Sequence, residues 1–224
     1  MTTGTAPTSS SGLQAFLRSR VGALIQVVLI TGTTFVLRPS SIWFPVLIAG
    51  VAAVLIWLAG DTWSDLGFAR PKERAARWVI EGAVTGLLWQ FIAIGILVPA
   101  LNGVLNFPAA VSRQGDLPYY LLLMLYGIMQ AFAKGLAYRA FLLHRLETIL
   151  GRTSAGLALS LLLASSLFGL SSWHQGLASI IVVGLAGAVF NLLFFWSRRN
   201  IWPTILAHVV YNAALSTLVY FGRA

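Results

Sequence analysis

LASIIVVGLAGAVFNLLFFWS, residues 177–197, contains no Asp, Glu, Lys or Arg. As a helix it measures about 31 Å at 1.5 Å per residue, which matches the hydrocarbon thickness of a bilayer. The run shows none of the polar-apolar alternation of a barrel strand, and in lipid every backbone N–H and C=O must be satisfied within the segment. It therefore reads as a membrane-spanning helix. Gly184 and Ala188 form a small-x-x-x-small pair, the pattern of close helix packing, and the lone Asn191 suits an interhelical hydrogen bond.

Working outward, similar runs lie at 201–221, 154–173, 118–143, 78–100, 42–59 and 21–37. Short links with turn chemistry separate them, among them Arg38-Pro39-Ser40-Ser41, Gly67 to Pro71, and Asn102 to Pro118. The expected fold is an all-α polytopic integral membrane bundle of about seven transmembrane helices, occupying residues 15–224. Residues 1–14, opening MTTGTAPTSSSG, read as a disordered tail, and the first span reads as retained rather than cleaved.

Composition agrees. Of the 224 residues 58% are hydrophobic and only 9% charged, against about a quarter charged in soluble domains. The mean hydropathy is +0.84. So few charges exclude a soluble globule, a disordered chain and a nucleic-acid module, and the primary partner is the lipid bilayer. There is no cysteine, hence no disulfide framework and no Cys-based metal site.

The net charge of +9 is a topology signal. With the N-terminus in the cytoplasm, Arg18, Arg20, Arg70, Lys72, Arg74, Arg77, Arg145, Arg152, Arg198 and Arg199 fall inside. Arg38, Arg113 and Arg223 fall outside. This is the asymmetry of the positive-inside rule. Trp43, Trp57, Trp63, Trp78, Trp196 and Trp202 lie near span ends, as an aromatic belt does.

Ionisable groups within a span are costly and mark candidate sites. They are Glu81, Lys134, Arg139, His174 and His208. Glu81 follows Arg77 at i, i+4 and reads as an interfacial ion pair. Gln90 reads as an interhelical hydrogen-bonding group. Lys134 reads as a side chain snorkelling to the cytoplasmic interface. His208 and Asn212, four apart, share a helix face and suit either oxyanion or water binding or a structural hydrogen bond.

The segment Asn200-Ile201-Trp202-Pro203-Thr204-Ile205-Leu206-Ala207-His208-Val209-Val210-Tyr211-Asn212 resembles the third motif of the CAAX-processing and bacteriocin-processing (CPBP, or ABI) intramembrane proteases, N-[IL]-W-P-x-[IM]-x-x-H-x-x-x-N. Phe168-Gly169-Leu170-Ser171-Ser172-Trp173-His174-Gln175-Gly176 resembles the second motif, F-G-x-x-H-x-x-Q-G. Lys134-Gly135-Leu136-Ala137-Tyr138-Arg139-Ala140-Phe141-Leu142 aligns with the first, E-E-x-x-[FY]-R-[GA]-x-L. Asp65 to Pro71 resembles a short link of the same family. The resemblance is clearest over 130–215.

It implies a membrane peptidase acting near the bilayer interface on prenylated or other membrane-delivered peptides. The leading glutamate would activate water, and the second-motif histidine with the third-motif His and Asn would bind that water and the oxyanion, with or without a metal. In this chain the glutamates fall on Lys134 and Gly135 and the second-motif histidine on Ser172. Arg139, His208 and Asn212 survive. His174 lies two positions past Ser172, about 200° around a helix, unless a turn intervenes. One imidazole and one carboxamide are an incomplete set for a divalent metal. The expectation is a protease-like membrane protein with a lost or impaired peptidase site and a cavity for a membrane-associated peptide or protein, in a bacterial plasma membrane. An active peptidase and a transporter are the competing readings. The expected depths of His208 and Ser172 differ, so a shared pocket requires the 154–173 helix to tilt, break or start outside the bilayer.

Overall fold

The computed structural model describes residues 12–37, 42–68, 75–102 and 113–222. Those residues form eight helices and no strand. They are α1 (Gly12–Arg18), α2 (Arg20–Val36), α3 (Phe44–Ala59), α4 (Ala75–Leu101), α5 (Leu117–Leu150), α6 (Ser154–Leu170), α7 (Leu177–Trp196) and α8 (Trp202–Tyr220). Most of the expected tail, and Arg38, Arg70, Lys72, Arg74 and Arg223, lie outside the described residues. The first helix starts at Gly12, inside the segment expected to be a tail.

Helices α2 to α8 coincide in position with the expected spans. Three of the described helices, α4, α5 and α7, are long and apolar enough to cross a membrane, and the α1–α2 pair, bent by 75°, would be a fourth. The α1–α2 bend has a local cause. Ser19 is extended and its hydroxyl accepts a hydrogen bond from the Gly22 amide, so it starts a new helix instead of continuing the old one. α3 and α6 are apolar but shorter. α5 overruns its apolar segment, reaching 34 residues. That is about 51 Å, well beyond the hydrocarbon thickness. Its start is fixed by Asp116, which accepts from the Tyr119 amide at 2.9 Å, and by Pro118 in the first turn.

Helices meet through small residues. α4 lies on α8, where a Cβ built on Gly86 would come within 2.4 Å of the Ala207 carbonyl oxygen. α6 and α7 approach through Gly169 and Gly184, whose Cα is 2.8 Å from a Cβ built on Gly169. Lipid supplies no hydrophobic force between helices, so such backbone contacts and interhelical hydrogen bonds hold the bundle. Asn191 of α7 donates to Ser165 Oγ of α6 at 3.0 Å, as expected. The expectation for Gln90 is not met, for its buried amide has no hydrogen-bond partner. Arg77 and Glu81 pair at 2.7 Å, and Glu81 also accepts from Ser197.

At one end of the bundle a charged cluster ties α1, α2, α3 and α5 together. Arg145, buried in α5, pairs with Asp61 just past α3 and donates from Nε to Gln26 Oε1 of α2 at 3.0 Å. Gln26 in turn donates to the Leu17 carbonyl of α1 at 2.7 Å. Arg18 lies 3.7 Å from Asp61 and donates to the Ala59 carbonyl. Nearby, buried Glu147 is held by Arg199 at 2.9 Å and Arg152 at 3.3 Å. The sequence reading places Arg145 in an aqueous link. Instead α5 continues past its apolar run and carries this arginine inward against Asp61.

Removing one member of a buried pair strands the other, at a cost of about 3 kcal/mol or more. Asp61→Ala is therefore expected to lower the thermal denaturation midpoint in detergent strongly. Arg18→Met, at a half-exposed position, is expected to change stability by less than about 1 kcal/mol.

Candidate functional site

A cavity of about 130 Å³ opens between α5, α6, α7 and α8. Its wall brings together Lys134, Ser172, His208 and Asn212, one or more from each segment singled out in the sequence. The remaining wall includes Gln130, Gln175, Tyr211, Phe168 and Phe190. α8 contributes His208, Tyr211, Asn212 and Leu215, a single stripe at i, i+3, i+4 and i+7. That stripe is about 10 Å long. His208 and Ser172, expected at different depths, both line this one cavity. α6 also ends earlier than expected, at Leu170, and the chain turns through a short 3₁₀ segment, Trp173–Gln175. Ser171 closes the helix by donating from Oγ to the Phe168 carbonyl at 2.6 Å.

The turn decides between Ser172 and His174. Ser172 is buried and lines the cavity, whereas His174 is exposed and does not. His208 is 4% exposed and its Nδ1 has no hydrogen-bond partner. Its ring packs against Phe168 at 5.9 Å, Phe190 at 5.7 Å and Tyr211 at 6.2 Å between centroids. Asn212 donates from Nδ2 to the Gly127 carbonyl of α5 at 2.8 Å, which fixes its amide between two helices.

The first segment departs most from a regular helix. Gly135–Leu142 is π-helical, and Arg139 lies within it. In a regular α-helix Lys134 and Arg139, five residues apart, would point about 140° apart. The i→i+5 closure of a π-helix stacks residues five apart. Accordingly both cations lie on one ring, with Lys134 Nζ 5.4 Å and Arg139 Cζ 4.8 Å from the Phe168 centroid. Phe190 covers the other guanidinium face at 4.9 Å. Snorkelling is thus corrected for Lys134. Its side chain is 7% exposed and faces the cavity, because the π turn and Phe168 offer the ammonium a cation–π site within the bundle.

Gly135 faces α8, where an added Cβ would come within 2.9 Å of Ile205 Cγ1. No Asp or Glu among the described residues lines the cavity, and His208 is the one imidazole among them that does. Among the described residues no group of three His, Cys, Asp or Glu could hold a metal ion. The donor set of the described residues does not fit a divalent metal. Gln130 stands among the polar residues that the sequence places within the spans, whereas Tyr211, Phe168 and Phe190 were not singled out. The i, i+4 spacing of Gln130 and Lys134 and the stripe from His208 to Leu215 were the available signals, but apolar residues at helical spacing are everywhere in this chain.

Gly135→Ala tests the packing directly. Helix propensity alone favours alanine by about 1 kcal/mol. Overpacking against Ile205 is expected to outweigh it, costing about 1–3 kcal/mol and lowering the melting midpoint in detergent. An unchanged or raised midpoint would contradict the close contact.

No curated protein and no solved structure matches the chain. Residues 116–214, which hold all three motif segments and every cavity-wall residue except Leu215, match the family model described as type II CAAX prenyl endopeptidase Rce1-like. That match covers just under half of the chain, and over it the chain is similar to the CAAX protease-like CPBP family.

Proposed function

We propose that this protein is a non-hydrolysing member of its family, whose cavity binds a membrane-delivered peptide without cutting it. The observation that carries this reading is the cavity wall, where an ammonium, Lys134, stands in the leading-glutamate position and no carboxylate among the described residues lines the wall. Peptide hydrolysis through a carboxylate base needs a group that takes a proton from water as it attacks the carbonyl. A lysine beside an arginine on the same ring is poorly suited to that task, and Gly135 offers no side chain. His208 and Asn212 remain as polarising and hydrogen-bonding groups, which serve ligand binding as well as catalysis. The exposed apolar faces of the helices suit an integral protein of the plasma membrane. The basic asymmetry of the sequence favours a cytoplasmic N-terminus.

The test is a cleavage assay with protein reconstituted in vesicles and a fluorogenic, membrane-tethered peptide. The expected result is no product above the heat-inactivated control. Lys134→Glu with Ser172→His, and with Gly135→Glu accompanied by Ile205→Ala to clear its space, is expected to raise hydrolysis by about 100-fold or more over the unaltered chain. Cleavage by the unaltered protein that His208→Ala abolishes would overturn the proposal.

A further inference from the structure

A second concave site lies at the end of the bundle that carries the arginine cluster. It is a cleft of about 210 Å³ between the first turns of α4 and the turn that joins α7 to α8. α4 supplies Arg77, Trp78 and Glu81, α7 ends there on Trp196, and the turn adds Arg198 and Asn200. None of these residues lines the cavity between α5, α6, α7 and α8. Both α4 and α7 are long and apolar enough to cross a membrane, so the cleft sits where two spans leave the hydrocarbon. Two indoles at one level fit headgroup depth.

The turn directs its two arginines apart. Arg198 and Arg199 have left-handed backbone, with φ of 56° and 62°, which residues with a Cβ rarely adopt. Arg199 pairs with Glu147 at 2.9 Å, while Arg198 borders the cleft and forms no ion pair among the described residues. Asn200 is 4% exposed. Its Oδ1 accepts from the Trp202 amide at 2.9 Å, and its Nδ2 has no partner among the described residues. A buried donor left without an acceptor is costly, and an acceptor entering the cleft would satisfy this one. Glu81 is already held, by Arg77 at 2.7 Å and by the Ser197 hydroxyl at 3.2 Å. With that pair neutral, the wall keeps the single positive charge of Arg198.

We infer that this cleft binds the phosphate of a membrane phospholipid, with Arg198 and the Asn200 amide as its donors. A guanidinium and an amide N–H suit phosphate oxygens, and a phosphodiester carries the one negative charge that the wall matches. Room is sufficient, since a water needs only about 10–15 Å³ and the cleft offers about 210 Å³. Position selects a lipid over a soluble phosphoester. Val84 and Leu88 of α4, at i+3 and i+7 from Glu81, and Leu192 of α7, at i−4 from Trp196, continue the same helix faces and are exposed. They offer apolar surface to acyl chains directly beside the headgroup, and basic pockets between spans are a recurring form of headgroup recognition.

The experiment is native mass spectrometry of the full chain in detergent, titrated with dioleoyl phosphatidylglycerol, dioleoylglycerol or glycerol 3-phosphate. The phospholipid is expected to bind about 10-fold or more tightly than dioleoylglycerol, the scale of one charge-assisted hydrogen bond. Arg198→Gln is expected to remove that preference and leave dioleoylglycerol binding unchanged. Asn200→Asp, which keeps the bond to the Trp202 amide but replaces the donor with an anion, is expected to do the same, so either variant suffices if the other does not fold. Arg152→Gln, at the same end but outside the cleft, is expected to change nothing. Equal binding of the two lipids sinks the proposal, as does an Arg152→Gln loss equal to that of Arg198→Gln. Glycerol 3-phosphate binding as tightly as the phospholipid would make the site one for a soluble phosphoester instead. Glu73 lies outside the described residues. Glu73→Gln is expected to leave phospholipid affinity unchanged, and a gain of about 10-fold would make that carboxylate the occupant in place of the lipid.

Discussion

The ring of Phe168 is the point on which the site depends. Tyr138 packs edge-on against it at 5.3 Å and His208 at 5.9 Å, and Lys134 and Arg139 both lie over it. It sits near the end of α6, with its edge against Gly187 of α7. Four helices are thus referred to a single aromatic side chain. Such a ring suits the task because its face attracts cations while its body packs as an apolar group. It lets a buried lysine and a buried arginine persist where no carboxylate is available to neutralise them.

Charge is divided between two regions of the bundle. At one end Asp61 and Glu147 are surrounded by Arg18, Arg145, Arg152 and Arg199, and the cluster stitches helices together. In the cavity only cations occur. This separation gives the two regions different physical roles. The paired end contributes to holding α1, α2, α3 and α5 in register. The cavity is bordered by Lys134 and Arg139, buried cations that both lie on Phe168. Tyr138 links the two regions mechanically, since its hydroxyl meets Thr34 Oγ1 of α2 at 2.7 Å while its ring touches Phe168.

Much of the fold was legible from the apolar runs, because lipid leaves a chain segment few ways to satisfy its backbone. Helix ends were less so. α5 runs on through His144, Arg145 and Glu147, where composition suggested an aqueous link, because Arg145 and Glu147 find partners in neighbouring elements. α6 stops at Leu170, where Ser171 caps it. The first departure comes from side-chain partners far away in sequence and the second from a bond three residues back, and periodicity registers neither. Gln90 shows the opposite failure, a polar group expected to bond across helices that finds no partner.

The sequence by itself determined that this chain is a helical membrane protein with three segments similar to CAAX protease motifs, and that its motif positions hold Lys134, Gly135 and Ser172. Those conclusions rest on composition and local order, which a linear string carries in full. Only the tertiary structure decided which of these residues meet. The π-helical turn placed Lys134 and Arg139 on one ring, and the turn after α6 directed Ser172 inward and His174 outward. Each outcome depends on a rotation about a helix axis at a single irregular turn. Spacing rules assume a regular helix, so they could not supply that rotation.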